Sequence, residues 1–123
     1  MEQSYTLQLL RLECMRAQER GGDEPYLTLN NQRIWEIPAG KHMHHHPDKP
    51  NLVAAVDFED TLIFTKLHGE NILRLFEADL LNPDDSLGMT PIAPVDAGGG
   101  DIQIVFDRDG AEYKLIYRVQ MES

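Results

Sequence analysis

Cysteine is nearly absent. Cys14 is the single one among 123 residues, so the chain cannot close an internal disulfide, and a reducing compartment is the natural expectation. Bases are scarce too: 11 Lys and Arg stand against 21 Asp and Glu, for a net charge of −10. Constitutive binding to nucleic acid or to an anionic membrane needs a positive surface, so the charge argues against both. Aromatic residues make up 7%, which calls for a core of Leu, Ile and Val. No apolar run approaches the roughly 20 residues of a membrane span. Met1 to Tyr5 carry neither a basic region nor a long apolar stretch, so no signal peptide is evident. A cytoplasmic protein is expected, or one exported by a route without a classical signal. The chain also lacks a nucleophile elbow, a P-loop, a His-Glu-x-x-His and a Cys-x-x-Cys, which leaves catalysis without a vehicle.

What the chain has is alternation. Helical periodicity is hard to find, whereas strand-like segments recur throughout the 123 residues, which form one domain without repeat or linker. Tyr5, Leu7 and Leu9 share a face, and Leu10, Leu12 and Cys14 resume it one residue later. The adjacent leucines predict a β-bulge, with a helix over 5–18 as the competing reading. Gly21-Gly22-Asp23 breaks the chain. Asn30-Asn31 predicts a tight hairpin between 26–29 and 33–37, because Asn tolerates positive φ. A second hairpin is expected from Leu52–Phe58 and Leu62–Leu67 across Glu59-Asp60-Thr61, and a strand at 71–78. Residues 82–100, with Pro83, Pro91, Pro94 and Gly98-Gly99-Gly100, read as mostly loop, with Met89, Ile92 and Val95 covering an edge of the core. Asp109-Gly110 turns the last hairpin. The short polar ends, Met1 to Ser4 and Met121 to Ser123, are expected to fray. Eight antiparallel strands in this length imply an all-β, two-layer sandwich.

Charge concentrates in two turns. Asp23 and Glu24 sit in the first; Glu77, Asp79, Asp84 and Asp85 sit in the second, after the strand ending at Phe76. Oxygen-rich loops at strand ends suit hard cations, because Ca²⁺ takes six to eight oxygen ligands. With the strand count, these patches resemble the C2 domain, an eight-stranded calcium- and phospholipid-binding sandwich. Gly22-Asp23-Glu24-Pro25-Tyr26-Leu27 is similar to that family's Ser-Asp-Pro-Tyr-Val, which follows its first calcium loop. Phe76-Glu77-Ala78-Asp79 with Asp84-Asp85-Ser86-Leu87-Gly88 resembles its third loop. The resemblance implies Glu24, Glu77, Asp79 and Asp85 as ligands of a weak Ca²⁺ site, with Asp23 and Asp84 beside them. It departs from the family in two places: Glu replaces Asp at 24 and 77, and the neutral Gln18 stands where an early acid is usual, with Glu19 one residue off. The lysine-rich strand that many relatives turn toward phosphoinositides is reduced to Arg33.

Other candidates carry less. His42-Met43-His44-His45-His46 offers imidazoles, which suit zinc, nickel or copper, but it lacks a long-range fourth ligand. It reads as a polar loop that becomes a cationic patch at pH 5–6. Cys14, in an apolar strand, reads as a packed small hydrophobe. Gly98-Gly99-Gly100 has no helix after it and reads as a flexible loop. The sequence thus points to a non-catalytic binding or adaptor module whose acidic end contacts a partner protein or a membrane, the partner protein being preferred. The alternative is a carbohydrate-binding or toxin-associated sandwich in which Trp35, Tyr26 and Tyr113 form a stacking face.

Overall fold

The computed structural model describes residues 3–79 and 82–122. Leu80 and Leu81 of the second acidic turn lie outside the described residues, as do Met1, Glu2 and Ser123. Among the described residues eleven strands follow in order: β1 Tyr5–Arg16, β2 Pro25–Leu29, β3 Gln32–Glu36, β4 His42–Met43, β5 Leu52–Val53, β6 Ala55–Asp57, β7 Ile63–Leu67, β8 Asn71–Glu77, β9 Asp85–Ile92, β10 Asp101–Phe106 and β11 Glu112–Met121. A 3₁₀ turn spans Pro94–Asp96, and no helix among the described residues is long and apolar enough to cross a membrane.

Two antiparallel sheets form a sandwich. One runs β10-β11-β1, with β6 and β7 both on the far side of β1; the other runs β3-β2-β8-β9. Alternation decides which face is buried. Tyr5, Leu7, Leu9 and Leu12 of β1, Tyr113, Leu115 and Val119 of β11, and Leu73 and Leu75 of β8 point into the core. The register of β1 against β11 slips between Leu9 and Arg11, so Leu10 is the extra residue of a bulge, where the doubled leucine predicts it. The twelve-residue strand excludes a helix at its start. Asn30 and Asn31 both adopt positive φ, 51° and 68°, as the tight β2–β3 hairpin requires.

Three expectations are corrected. The segments 55–57 and 63–67 do not pair with each other. Both lie antiparallel to β1, on Arg11–Glu13 and Tyr5–Gln8 in turn, so they form one interrupted strand and not a hairpin. Counted so, the sandwich has four strand positions per sheet. Second, residues 85–92 form β9 and not a loop. Pro91 is accommodated because β9 is an edge strand, where a missing N–H breaks no ladder on its outer side. Gly88 there lies so close to β10 that a Cβ would stand 2.6 Å from the Phe106 ring. Of the residues expected to cover the core edge, Ile92 is buried, but Met89 and Val95 are exposed. Third, the described chain ends are tied: Ser4 and Thr6 donate their hydroxyls to Glu122 at 2.6 and 2.7 Å, and Lys66 N–H joins them at 2.9 Å.

Candidate functional site: the acidic tip

Strand pairing brings the two acidic turns together. Pro25 pairs with Glu77, and Glu77 pairs with Asp85, so β2, β8 and β9 end side by side at one tip of the sandwich. Glu24 N–H donates to Glu77 Oε2 at 2.6 Å, and Ala78 N–H returns to the Glu24 carbonyl at 3.1 Å. The loop from Ala17 to Gly22 completes the tip. Gln18 Nε2 donates to Asp85 Oδ2 at 3.0 Å, linking the first loop directly to the start of β9.

Asp23 organises this tip from inside. It is fully buried, and its oxygens accept Gln18 N–H at 2.8 Å, Glu19 N–H at 2.9 Å and the Tyr113 hydroxyl at 2.7 Å. Its own backbone exchanges two hydrogen bonds with Met43, both at 2.8 Å. A buried carboxylate is tolerated when its lone pairs are met in this way. Burial and the neighbouring Asp23 charge push the Tyr113 phenol well up, so it remains a donor. Gly22 sets the approach: with φ at +94°, it lies so close to the β4 segment that a Cβ would stand 2.8 Å from His42 Cβ.

Glu77 is also buried, at 2% exposure. Burial first, then the Asp23 charge, pushes its carboxyl up to about 8, which the hydrogen bond from Glu24 N–H only partly opposes. The shift favours the protonated form of Glu77. Glu19 is raised as well, by desolvation and then by Asp23, Asp79, Glu24 and Asp85. Acids of both turns thus contribute to raising the one Glu19 carboxyl.

Asp84 faces another way. Its oxygens accept the Tyr26 hydroxyl at 2.5 Å and Asp79 N–H at 3.0 Å, which hold it below the usual carboxylate range. Asp79 in turn accepts Asn82 N–H at 3.2 Å. Glu24 is exposed and meets His42 Nε2 at 3.0 Å.

The sequence groups six acids around one cation; the described residues do not have that arrangement. No three His, Cys, Asp or Glu side chains among them are gathered to hold a metal ion. Asp23 is committed to three internal donors and Asp84 to Tyr26 and a backbone amide, while burial and the Asp23 charge push the Glu77 carboxyl up. Calcium requires six to eight oxygens, and Asp23 and Asp84 as folded have their oxygens occupied by internal donors. Sequence reasoning missed Gln18 and Tyr113 as partners of the acids. Their signals were present but ambiguous: Gln18 occupies a position where an acid is expected, and Tyr113 alternates like any core residue.

The sugar-stacking alternative loses its surface. Tyr113 is fully buried in the core, and Trp35 packs edge-on against the buried Phe58 with centroids 5.3 Å apart. Tyr26 lies on the other face of its sheet, stacked on Phe76 at 5.2 Å, with Arg33 3.7 Å above it. With Tyr113 in the core, Trp35 packed against it and Tyr26 on the other face, the three form no shared platform. Cys14 is buried, and desolvation pushes its thiol up to about 11.

No protein-family model matches the sequence, and no curated protein matches it. Solved structures do. A tandem pair of C2 domains from extended synaptotagmin 2 aligns with a TM-score of 0.61 at 15% identity, over 97% of this chain and 40% of that one. A single C2 domain aligns at 0.56 and 15%, over 96% and 98% of the two chains. One C2 domain of a plant extended synaptotagmin 1 aligns at 0.53 and 9%, over 98% and 96%. The chain has the fold of one divergent C2-like domain. It spans less than half of the first of these structures, which holds two.

Proposed function

We propose that the chain is a non-catalytic binding module that docks a partner protein through its acidic tip. The supporting observation is that Glu19, Glu24, Asp79 and Asp85 share one electrostatic field above two buried carboxyl groups, Asp23 and Glu77. A partner's lysine or arginine side chains would relieve that repulsion and make charge-assisted hydrogen bonds with the outward acids. A net charge of −10 steers the same partner inward and opposes anionic lipid. The C2-like neighbours make a binding role reasonable by analogy of fold, which by itself names no ligand.

The test replaces the outward acids and leaves the buried pair intact. Partners cross-linked to the wild type should be lost in Glu19→Lys/Glu24→Lys/Asp79→Lys and retained in Asp101→Ala, at the opposite end of the sheet. Capture should weaken as salt rises. Calcium-dependent sedimentation with phosphatidylserine vesicles, unaffected by the triple substitution, would overturn the reading.

A further inference from the structure

On the far side of the first loop the charge reverses. Arg20 and Gly21 of that loop, with His44, His46, Asp48, Lys49 and Asn51 of the segment between β4 and β5, line an open cleft of about 290 Å³. We infer that this cleft binds a single phosphate or sulfate group, held by Arg20, Lys49 and the His44 imidazole.

Four observations carry the inference. First, Arg20 and Lys49 make no ion pair among the described residues, although acids outnumber bases in this chain by 21 to 11. Two unpaired cations converge on one small space, with Asp48 the only acid among the described residues lining it. Second, hydrogen bonding fixes the histidine tautomer. His46 N–H donates to His44 Nδ1 at 2.9 Å, so the neutral ring carries its proton on Nε2. His44 therefore offers a donor and no free lone pair. His45 is fixed likewise, since Ala17 N–H donates to its Nδ1 at 3.1 Å. Third, that tautomer takes His44 and His45 out of any transition-metal site, and no three His, Cys, Asp or Glu side chains among the described residues are gathered to hold one. A transition metal needs an unprotonated ring nitrogen, and those of His44 and His45 are occupied by backbone amides. The same atoms that refuse a metal suit an oxyanion.

Fourth, the imidazoles brace one another. The His44 and His45 rings stack with centroids 4.3 Å apart and planes 18° apart, and His46 lies 4.6 Å from His45. The donors are thereby partly preorganised, which lowers the cost of ordering on binding. The size of the cleft favours a compact dianion over an extended polymer, and the acidic remainder of the molecule repels a long anionic partner. This site is independent of the acidic tip: it uses none of its carboxylates.

The probe is sodium sulfate, which does not titrate between pH 5 and 9, with sodium chloride at matched ionic strength as the reference. Histidine side-chain NMR should report saturable binding with a Kd of about 1–10 mM. Arg20→Ala/Lys49→Ala should weaken it roughly tenfold or more, the loss expected for hydrogen bonds to charged groups. Both side chains are exposed, so the double variant should fold. Arg118→Ala, whose partner is Asp101, should leave the affinity unchanged. O-phosphoserine and phosphatidic acid vesicles then separate a soluble phosphomonoester from a lipid one; competition of either by sulfate supports the site. Unsaturable shifts in the wild type, or equal affinity in the double variant, would overturn it.

Discussion

Asp23 and Glu77 are two buried acids at the same tip, and they are accommodated in opposite ways. Asp23 accepts three hydrogen bonds, two from backbone amides and one from Tyr113. Glu77 accepts the Glu24 N–H and feels the Asp23 charge beside it. One carboxylate is stabilised by donors, and the other is pushed toward its protonated form by burial and the Asp23 charge. The difference teaches two ways in which one tip accommodates a buried acid: the first loop supplies amides, and the second turn favours a proton.

The largest expected effect comes from breaking the donor side. Asp23→Ala leaves the Tyr113 hydroxyl and two amides without their acceptor, at a cost of about 4 kcal/mol in chemical unfolding. Asp23→Asn, which keeps one acceptor oxygen, should lose about half as much. If Asp23→Ala were as stable as the wild type, the first loop would not depend on this carboxylate. Next comes the contact that seats that loop. Gly22→Ala adds a Cβ 2.8 Å from His42 Cβ at a φ of +94°, so strain and overlap together should cost about 3 kcal/mol. The backbone pair between Asp23 and Met43 should then exchange its amide protons faster.

The proton side gives a pH dependence of definite sign. Glu77 holds its proton up to about 8 when folded, against an ordinary value of 4.5. Between those two pH values the unfolded chain releases a proton that the native chain keeps. Stability therefore falls as pH rises through this window, at up to about 1.4 kcal/mol per pH unit. Glu77→Gln keeps an acceptor for Glu24 N–H and removes the titration. Its melting temperature should exceed that of the wild type at pH 8, and the gap should close toward pH 5. Parallel pH profiles for the two proteins would show that Glu77 is not the group concerned.

Much of this arrangement was legible in residue order. Alternation in 5–14 and 113–119 located the core strands, the doubled Leu9-Leu10 located the bulge, and Asn30-Asn31 located a hairpin. Local chemistry failed where a decision belonged to the sheet. Glu59-Asp60-Thr61 is a turn, with Glu59 at φ 51°, yet the chain continues along β1 after it and does not reverse. Pro91 argues for a loop unless its strand lies at an edge, and edges are set by topology alone. At the tip, the sequence showed which acids are neighbours but not which way their oxygens point. Tyr113 lies 90 residues from Asp23, so its role as hydroxyl donor is visible only after folding.

The smallest expected effect is the response to calcium, and it separates the two ways of holding an acid most cleanly. A cation held by the buried pair would have to take Asp23 oxygens from Tyr113 and the Gln18 and Glu19 amides, and displace the Glu77 proton. Each exchange offsets the gain from coordination, and the neutral Gln18 supplies no compensating charge. Melting in ~5 mM calcium should therefore move the transition by less than about 0.5 kcal/mol, whereas a site with a Kd of ~50 µM would add about 2.7 kcal/mol at that hundredfold excess. Tyr113→Phe sharpens the comparison. It frees one Asp23 lone pair without adding charge, so calcium should stabilise this variant more than the wild type. A large calcium shift in the wild type, abolished by Asp23→Asn, would mean that the amide-filled arrangement is only the resting form of a metal site.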